Sequence, residues 1–179
     1  EALRSLEAIY RQQDNKASLY EVILRRADLA GTATDELALR RESGVLANLL
    51  GRKDEAIAAW ERVWTAQPGD GQAVEALDAL YSELRRWDDL VNLLERRLER
   101  DLTHAQDIEL RFRLANIQRV ELVNRERALE YLGQVLERDP DHAESIRILQ
   151  DLLDDPEARM TAATLLEPVY IRRSAWREL

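Results

Sequence analysis

Apolar residues recur at spacings of three and four along nearly the whole chain, the period of an α-helix with one buried face. Leu77, Leu80, Tyr81 and Leu84 form one such stripe, and Leu90, Leu93, Leu94 and Leu98 form the next. Between them lies Arg86-Trp87-Asp88-Asp89, a short polar turn whose aspartates suit the start of a second helix. The same alternation predicts helices over 1–13, 16–29, 35–50, 54–66, 71–84, 88–101, 105–121, 125–138, 142–153 and 157–173, and no strand. Pro68, Pro140 and Pro156 fall at or beside these boundaries, where a residue without an N–H is tolerated. Pro168 falls inside the last pattern. It cannot bond the Thr164 carbonyl, so a kink or an early end is expected there.

The stripes repeat. With a shift of 72, Ala56 meets Ala128, Ile57 meets Leu129, Trp60 meets Leu132, Val63 meets Val135 and Pro68 meets Pro140. Upstream the shift is 71, placing Leu39-Arg40 on Leu110-Arg111 and Leu46 on Ile117. One extra residue in the 121–126 turn accounts for the change. EALRSLEAIY (1–10) overlays QAVEALDALY (72–81) at 71, pairing Leu3 with Val74, Leu6 with Leu77, Ile9 with Leu80 and Tyr10 with Tyr81. Tyr170 and Trp176 keep the spacing of Tyr81 and Trp87. The long period splits into two helix pairs of 34–38 residues, the signature of a helical solenoid.

These pairs resemble tetratricopeptide repeats, whose loose pattern is W-x2-L-G-x2-Y, then A-x3-F, then P. In 37–70, Gly44, Ala56 and Pro68 match, Trp60 fills the large aromatic place, and Gly51 fits the turn between the helices. Arg40, Ser43 and Ala47 depart from the pattern of the first helix. In 108–141, Leu114-Ala115, Ala128, Leu132 and Pro140 take the corresponding places. The unit 71–104 is looser, and the second helix of the last unit is omitted or fused into 157–173. The resemblance implies an all-α, right-handed α-α superhelix forming a single solenoid over 1–179, with units near 1–36, 37–70, 71–107, 108–141 and 142–179. Alanine and glycine in such units mark close helix crossings. Trp60 and Trp64, four apart on one face, are expected in the core.

Composition narrows the function. A net charge of −9 argues against a phosphate-tracking nucleic-acid binder. No run approaches eighteen consecutive apolar residues, so no membrane insertion is expected. The absence of cysteine excludes disulfides and thiolate metal sites without choosing a compartment. His104 and His142 flank helix starts outside any metal-ligand spacing. The acidic runs, such as Asp88-Asp89 and Asp154-Asp155, sit at turns where carboxylates complement helix N-termini. No catalytic motif, metal site or cofactor site is expected.

The resemblance places the first helix of each pair on a concave groove. Its lining is then Arg41, Val45, Asn48 and Leu49; Glu75 and Ser82; Phe112, Asn116 and Arg119; and Arg147. Some family members clamp a peptide carboxylate there, and Asn116, Arg41 and Arg147 form an incomplete version without the lysines. Two functions follow: a scaffold holding a protein or peptide segment in the groove, or a stacking segment of a longer repeat array. The array reading expects apolar faces at both ends and self-association through them: Leu3, Leu6, Ile9 and Tyr10 at one end, and Leu165, Leu166, Val169 and Tyr170, behind Trp176, at the other.

Overall fold

Helix-forming stripes separated by capped turns leave each part of the chain one economical solution, which is to pair a helix with the next in its own unit. The computed structural model describes residues 1–173 and places ten α-helices among them, with no strand. Two compact units divide the chain at Arg86 and Trp87. The first holds α1 (Ala2–Gln12), α2 (Lys16–Asp28), α3 (Ala33–Leu49), α4 (Lys53–Ala66) and α5 (Gly71–Glu83). The second holds α6 (Trp87–Leu98), α7 (His104–Asn116), α8 (Arg125–Arg138), α9 (Ala143–Asp151) and α10 (Arg159–Arg173).

Local chemistry sets the helix starts. Asn15, Thr32 and Asp70 accept the backbone N–H of Ser18, Asp35 and Ala73 at the starts of α2, α3 and α5. Thr103 and Gln106 form a reciprocal capping box at α7. The ends repeat more strictly still. α1, α3, α5 and the α7 segment are each followed by a left-handed residue: Asp14 (φ 50°), Gly51 (φ 74°), Arg85 (φ 54°) and Val123 (φ 53°). Asn15, Arg52 and Arg86 then donate back five residues to the carbonyls of Tyr10, Ala47 and Tyr81, at 3.0, 2.9 and 2.8 Å. This closes the helix in the Schellman manner. At the fourth site Asn124 reaches back six residues, to Gln118, at 2.7 Å. The additional residue is taken up as a π-helical turn, Ile117–Glu121, ahead of the loop to which the spacing alone assigns it. A π-turn holds one residue more than an α-turn over nearly the same rise, so the flanking helices keep their register.

Small residues seat large ones. Ala56 and Ala128 are 0% and 1% exposed, and Trp60 and Trp64 are buried in the first unit. Where the repeat pattern has an aromatic residue in the first helix, this chain has arginine. Arg40 is buried, with Nη2 2.5 Å from Asp28 Oδ1 and Nε 3.7 Å from Glu36. Its counterpart Arg111 grips both oxygens of Asp107 at 3.0 Å and also bonds Gln134. Hydrogen-bonded ion pairs thus fill two places where the repeat pattern has an indole.

The last helix differs from the sequence reading in two respects. α10 does not end at Pro168 but continues through it to Arg173. Thr164 and Pro168 both face solvent, so the carbonyl that loses its partner is not buried without one. Nor does α10 present the expected stripe to water: Leu166, Val169 and Tyr170 are at most 2% exposed and Leu165 is half-buried, while Met160 and Ile171 are the exposed apolar residues of this helix. α10 packs on α9 and α8, as the second helix of the final pair, and Gln150 of α9 donates to the Tyr170 hydroxyl at 2.7 Å. Trp176 lies outside the described residues. At the other end the expected exposure is present: α1 contains no buried residue.

Candidate protein-binding face

In α3, Leu37, Leu39, Arg40, Ser43, Gly44, Leu46 and Ala47 are buried. The opposite side of the helix carries Arg41, Val45, Asn48 and Leu49, spaced at three and four residues. Val45 is 49% exposed and Leu49 is 64% exposed, one turn apart. A large apolar side chain two-thirds in water contributes nothing to the core of its own unit.

The polar residues around this pair are held in place. Arg41 donates from Nε and Nη2 to Asp70 Oδ2 at 2.9 and 2.5 Å, and from Nη2 to Gln67 at 2.7 Å. Burial alone would push the Asp70 carboxyl up, but the Ala73 backbone N–H and the Arg41 guanidinium outweigh it and hold the group below its ordinary range. Arg41 is therefore a strut between α3 and the start of α5, and could grip a carboxylate from outside only by releasing Asp70. Lys53 bridges Asn48 (2.8 Å) and Glu83 (2.9 Å). Glu75 is exposed, and Ser82 donates to Asp78 at 3.4 Å.

In the second unit, Phe112 rests on the His142 ring with centroids 4.8 Å apart, joining α7 to the start of α9. His142 caps α9, its Nδ1 accepting the Ser145 N–H. Asn116 donates to the Phe112 carbonyl at 3.2 Å and accepts from Arg119 at 3.4 Å. Arg119 and Arg147 are exposed. The sequence reading omitted Val120, which is 55% exposed. The repeat register was enough to find it, because Val120 stands 71 residues after Leu49. Both units thus hold an exposed aliphatic residue at the same place in the repeat. The Phe112–His142 contact had no signal along the chain, since it joins residues thirty apart.

Among the described residues there is no group of three acidic or histidine side chains that could hold a metal. No described helix is long and apolar enough to cross a membrane.

Solved structures with the same arrangement of helices settle the architecture. MamA superposes over 97% of this chain and 98% of its own, with a TM-score of 0.50 at 9% identity. MamA from strain AMB-1 gives 0.52 at 15% identity over 94% of this chain and 88% of its own. A tetratricopeptide repeat protein from Parabacteroides merdae ATCC 43184 gives 0.52 at 16% identity, over 99% of this chain and 76% of its own. The fold is tetratricopeptide-like. No protein-family model matches the chain, and no curated protein matches it in sequence. In the tetratricopeptide frame, Gly44, Ala56, Trp60 and Pro68 sit where the repeat pattern puts them. Arg40 and Arg111 are this chain's own departures.

Proposed function

We propose that this chain is a non-catalytic scaffold, each of whose two units holds a segment of a protein partner on the outward side of its first helices. In the first unit the contacts are Val45, Asn48 and Leu49, with Glu75 and Ser82 beside them. In the second they are Phe112, Asn116, Arg119 and Arg147, with Val120 added. The observation that carries this reading is the recurrence of an exposed aliphatic at one repeat position, Leu49 and Val120, at 64% and 55% exposure. Around the first of these, Arg41 and Lys53 are bonded within their own unit. That favours apolar side chains of a protein segment over an anionic ligand as the main contact. The net charge of −9 favours protein over nucleic acid in the same way.

Peptides selected from a random display library on the wild-type chain supply the probe, titrated by fluorescence anisotropy. Leu49→Asp should weaken peptides that bind the first unit, and Val120→Asp those that bind the second, by about tenfold, roughly 1.4 kcal/mol, with the melting midpoint unchanged. Selected peptides that bind both variants as tightly as wild type would overturn the reading.

A further inference from the structure

A groove of about 810 Å³ runs between α8 and α10, wholly within the second unit. Its floor is apolar, made by Leu129, Gly133 and Leu165. Gly133 stands where α4 has Glu61, whose carboxylate accepts the Tyr81 hydroxyl in the first unit. With no side chain at 133, Leu165 leans in until its Cδ2 lies 2.9 Å from the place a Cβ would take. The rim carries four carboxylates, Glu126, Glu130, Glu137 and Glu157, against the guanidinium of Arg125. That guanidinium is already held by Asp155 and Glu157. Two of the four carboxylates are not required by α8 itself. At a shift of 72, Glu130 and Glu137 replace Ala58 and Thr65 of α4, so this side of the helix reaches water without acid there. Glu137 also lies in the last turn of α8, where the helix dipole opposes a negative charge. Among the described residues its one ion pair is with Arg138, at 4.0 Å, and Arg138 is shared with Asp107. The Glu126 carboxylate has no partner among the described residues.

We infer that this groove binds a short basic segment of a partner protein. One aliphatic side chain of the segment sits over Gly133 and Leu165, and a lysine or arginine on either side of it meets the carboxylates of the rim. Glu126 and Glu137 are eleven residues apart on α8, about 16 Å along its axis. An extended segment of about five residues covers that length, and its alternate side chains face one way. The fitting pattern is therefore cation, aliphatic, cation at every second residue. Charge complementarity selects such a segment over an acidic or a neutral one and fixes its register. A further helix of the series would not close the groove. In the first unit α5 follows α4 and packs on α4 rather than on α2, so a helix after α10 in the same pattern would pack on α10 rather than on α8. A second copy of this chain, at a net charge of −9, is a poor occupant of an acidic rim. This inference is independent of the face formed by Leu49 and Val120.

The probe is a fluorescein-labelled peptide, Gly-Arg-Ser-Leu-Ser-Arg-Gly, titrated against the full chain by fluorescence anisotropy at low ionic strength. Saturable binding is expected. Glu137→Lys should weaken it about tenfold, and so should serine in place of the peptide's leucine, because the groove reads charge and one apolar side chain together. Glu99→Lys makes the same change in net charge at an exposed residue of the same unit and should leave the affinity within about twofold. Val120→Asp should leave it unchanged. Circular dichroism melting checks that Glu137→Lys is folded, and Thr161→Arg, on the α10 side of the groove, serves in its place if it is not. Absence of saturable binding overturns the inference. So does equal weakening by Glu137→Lys and Glu99→Lys, which would mark diffuse attraction, or a serine peptide that binds as tightly as the leucine one. Loss of binding in Val120→Asp but not in Glu137→Lys would move the peptide to the other face and overturn the groove alone. Sedimentation of the chain by itself supplies the last arm: a dimer that Glu137→Lys dissolves would assign the groove to a second copy and overturn the basic partner.

Discussion

A Cβ built on Gly44 would stand 2.6 Å from Nε1 and 2.8 Å from Cε2 of Trp60, so α3 lies directly against the edge of that indole. The contact explains why position 44 holds a residue without a side chain. It also separates two glycines of similar appearance. At Gly133 an added Cβ would meet Leu165 Cδ2 at 2.9 Å, the far end of a side chain able to turn away. Gly44→Ala should therefore cost on the order of 1–3 kcal/mol, because a buried ring cannot yield. Gly133→Ala should be neutral or stabilising by up to about 1 kcal/mol from helix propensity. Urea midpoints of the two variants check the contrast, and equal destabilisation would show that α8 and α10 are as tightly keyed as α3 and α4.

Ala56 and Ala128 occupy the corresponding small place in the second helices, 72 residues apart and almost wholly buried. Leucine at either should overpack its unit and cost on the order of 1–3 kcal/mol. Thermal melts of the two single variants measure this, and an unchanged midpoint in both would break the repeat register.

Val123 should be the weakest of the four turns. A β-branched residue in the left-handed region strains against its own backbone, and Val123 is 71% exposed, so it recovers little by burial. Val123→Gly should stabilise by about 1 kcal/mol, while Gly51→Ala, the same change in reverse at the equivalent turn, should destabilise by a similar amount. Denaturant titration of the pair gives both signs in one experiment.

Acid should weaken the Arg111–Asp107 pair, one of the two that take the place of the aromatic residue. The Arg111 hydrogen bond, assisted by Arg138, holds the Asp107 carboxyl below its ordinary range against the opposing effect of burial. A carboxyl depressed in the folded state contributes stability that is full above its unfolded value of about 3.9 and is lost as pH falls through the lower folded value. Asp107→Asn should lower stability at neutral pH and flatten its fall below about pH 4. Guanidinium midpoints between pH 2 and 7 test this; parallel curves for wild type and variant would mean the pair is idle.

Ten helices, their order and their boundaries within a few residues were legible along the chain, as were the small and large partners Ala56, Gly44 and Trp60. Each of these depends on helical periodicity, capping chemistry and a repeat, all properties of neighbouring residues. The departures came from contacts between distant ones. Pro168 reads as a helix breaker, yet α10 continues because packing on α8 and α9 outweighs one missing hydrogen bond on the solvent side. Arg41 reads as a groove residue and part of an incomplete carboxylate clamp, and nothing along the chain shows that Asp70, 29 residues away, already bonds its guanidinium. Leu6 and Leu77 are one position in the repeat, and nothing along the chain distinguishes the 38% exposure of one from the 1% of the other. Sequence determined which faces are apolar; only the tertiary structure decided which of them are covered, because burial depends on the neighbour a helix meets.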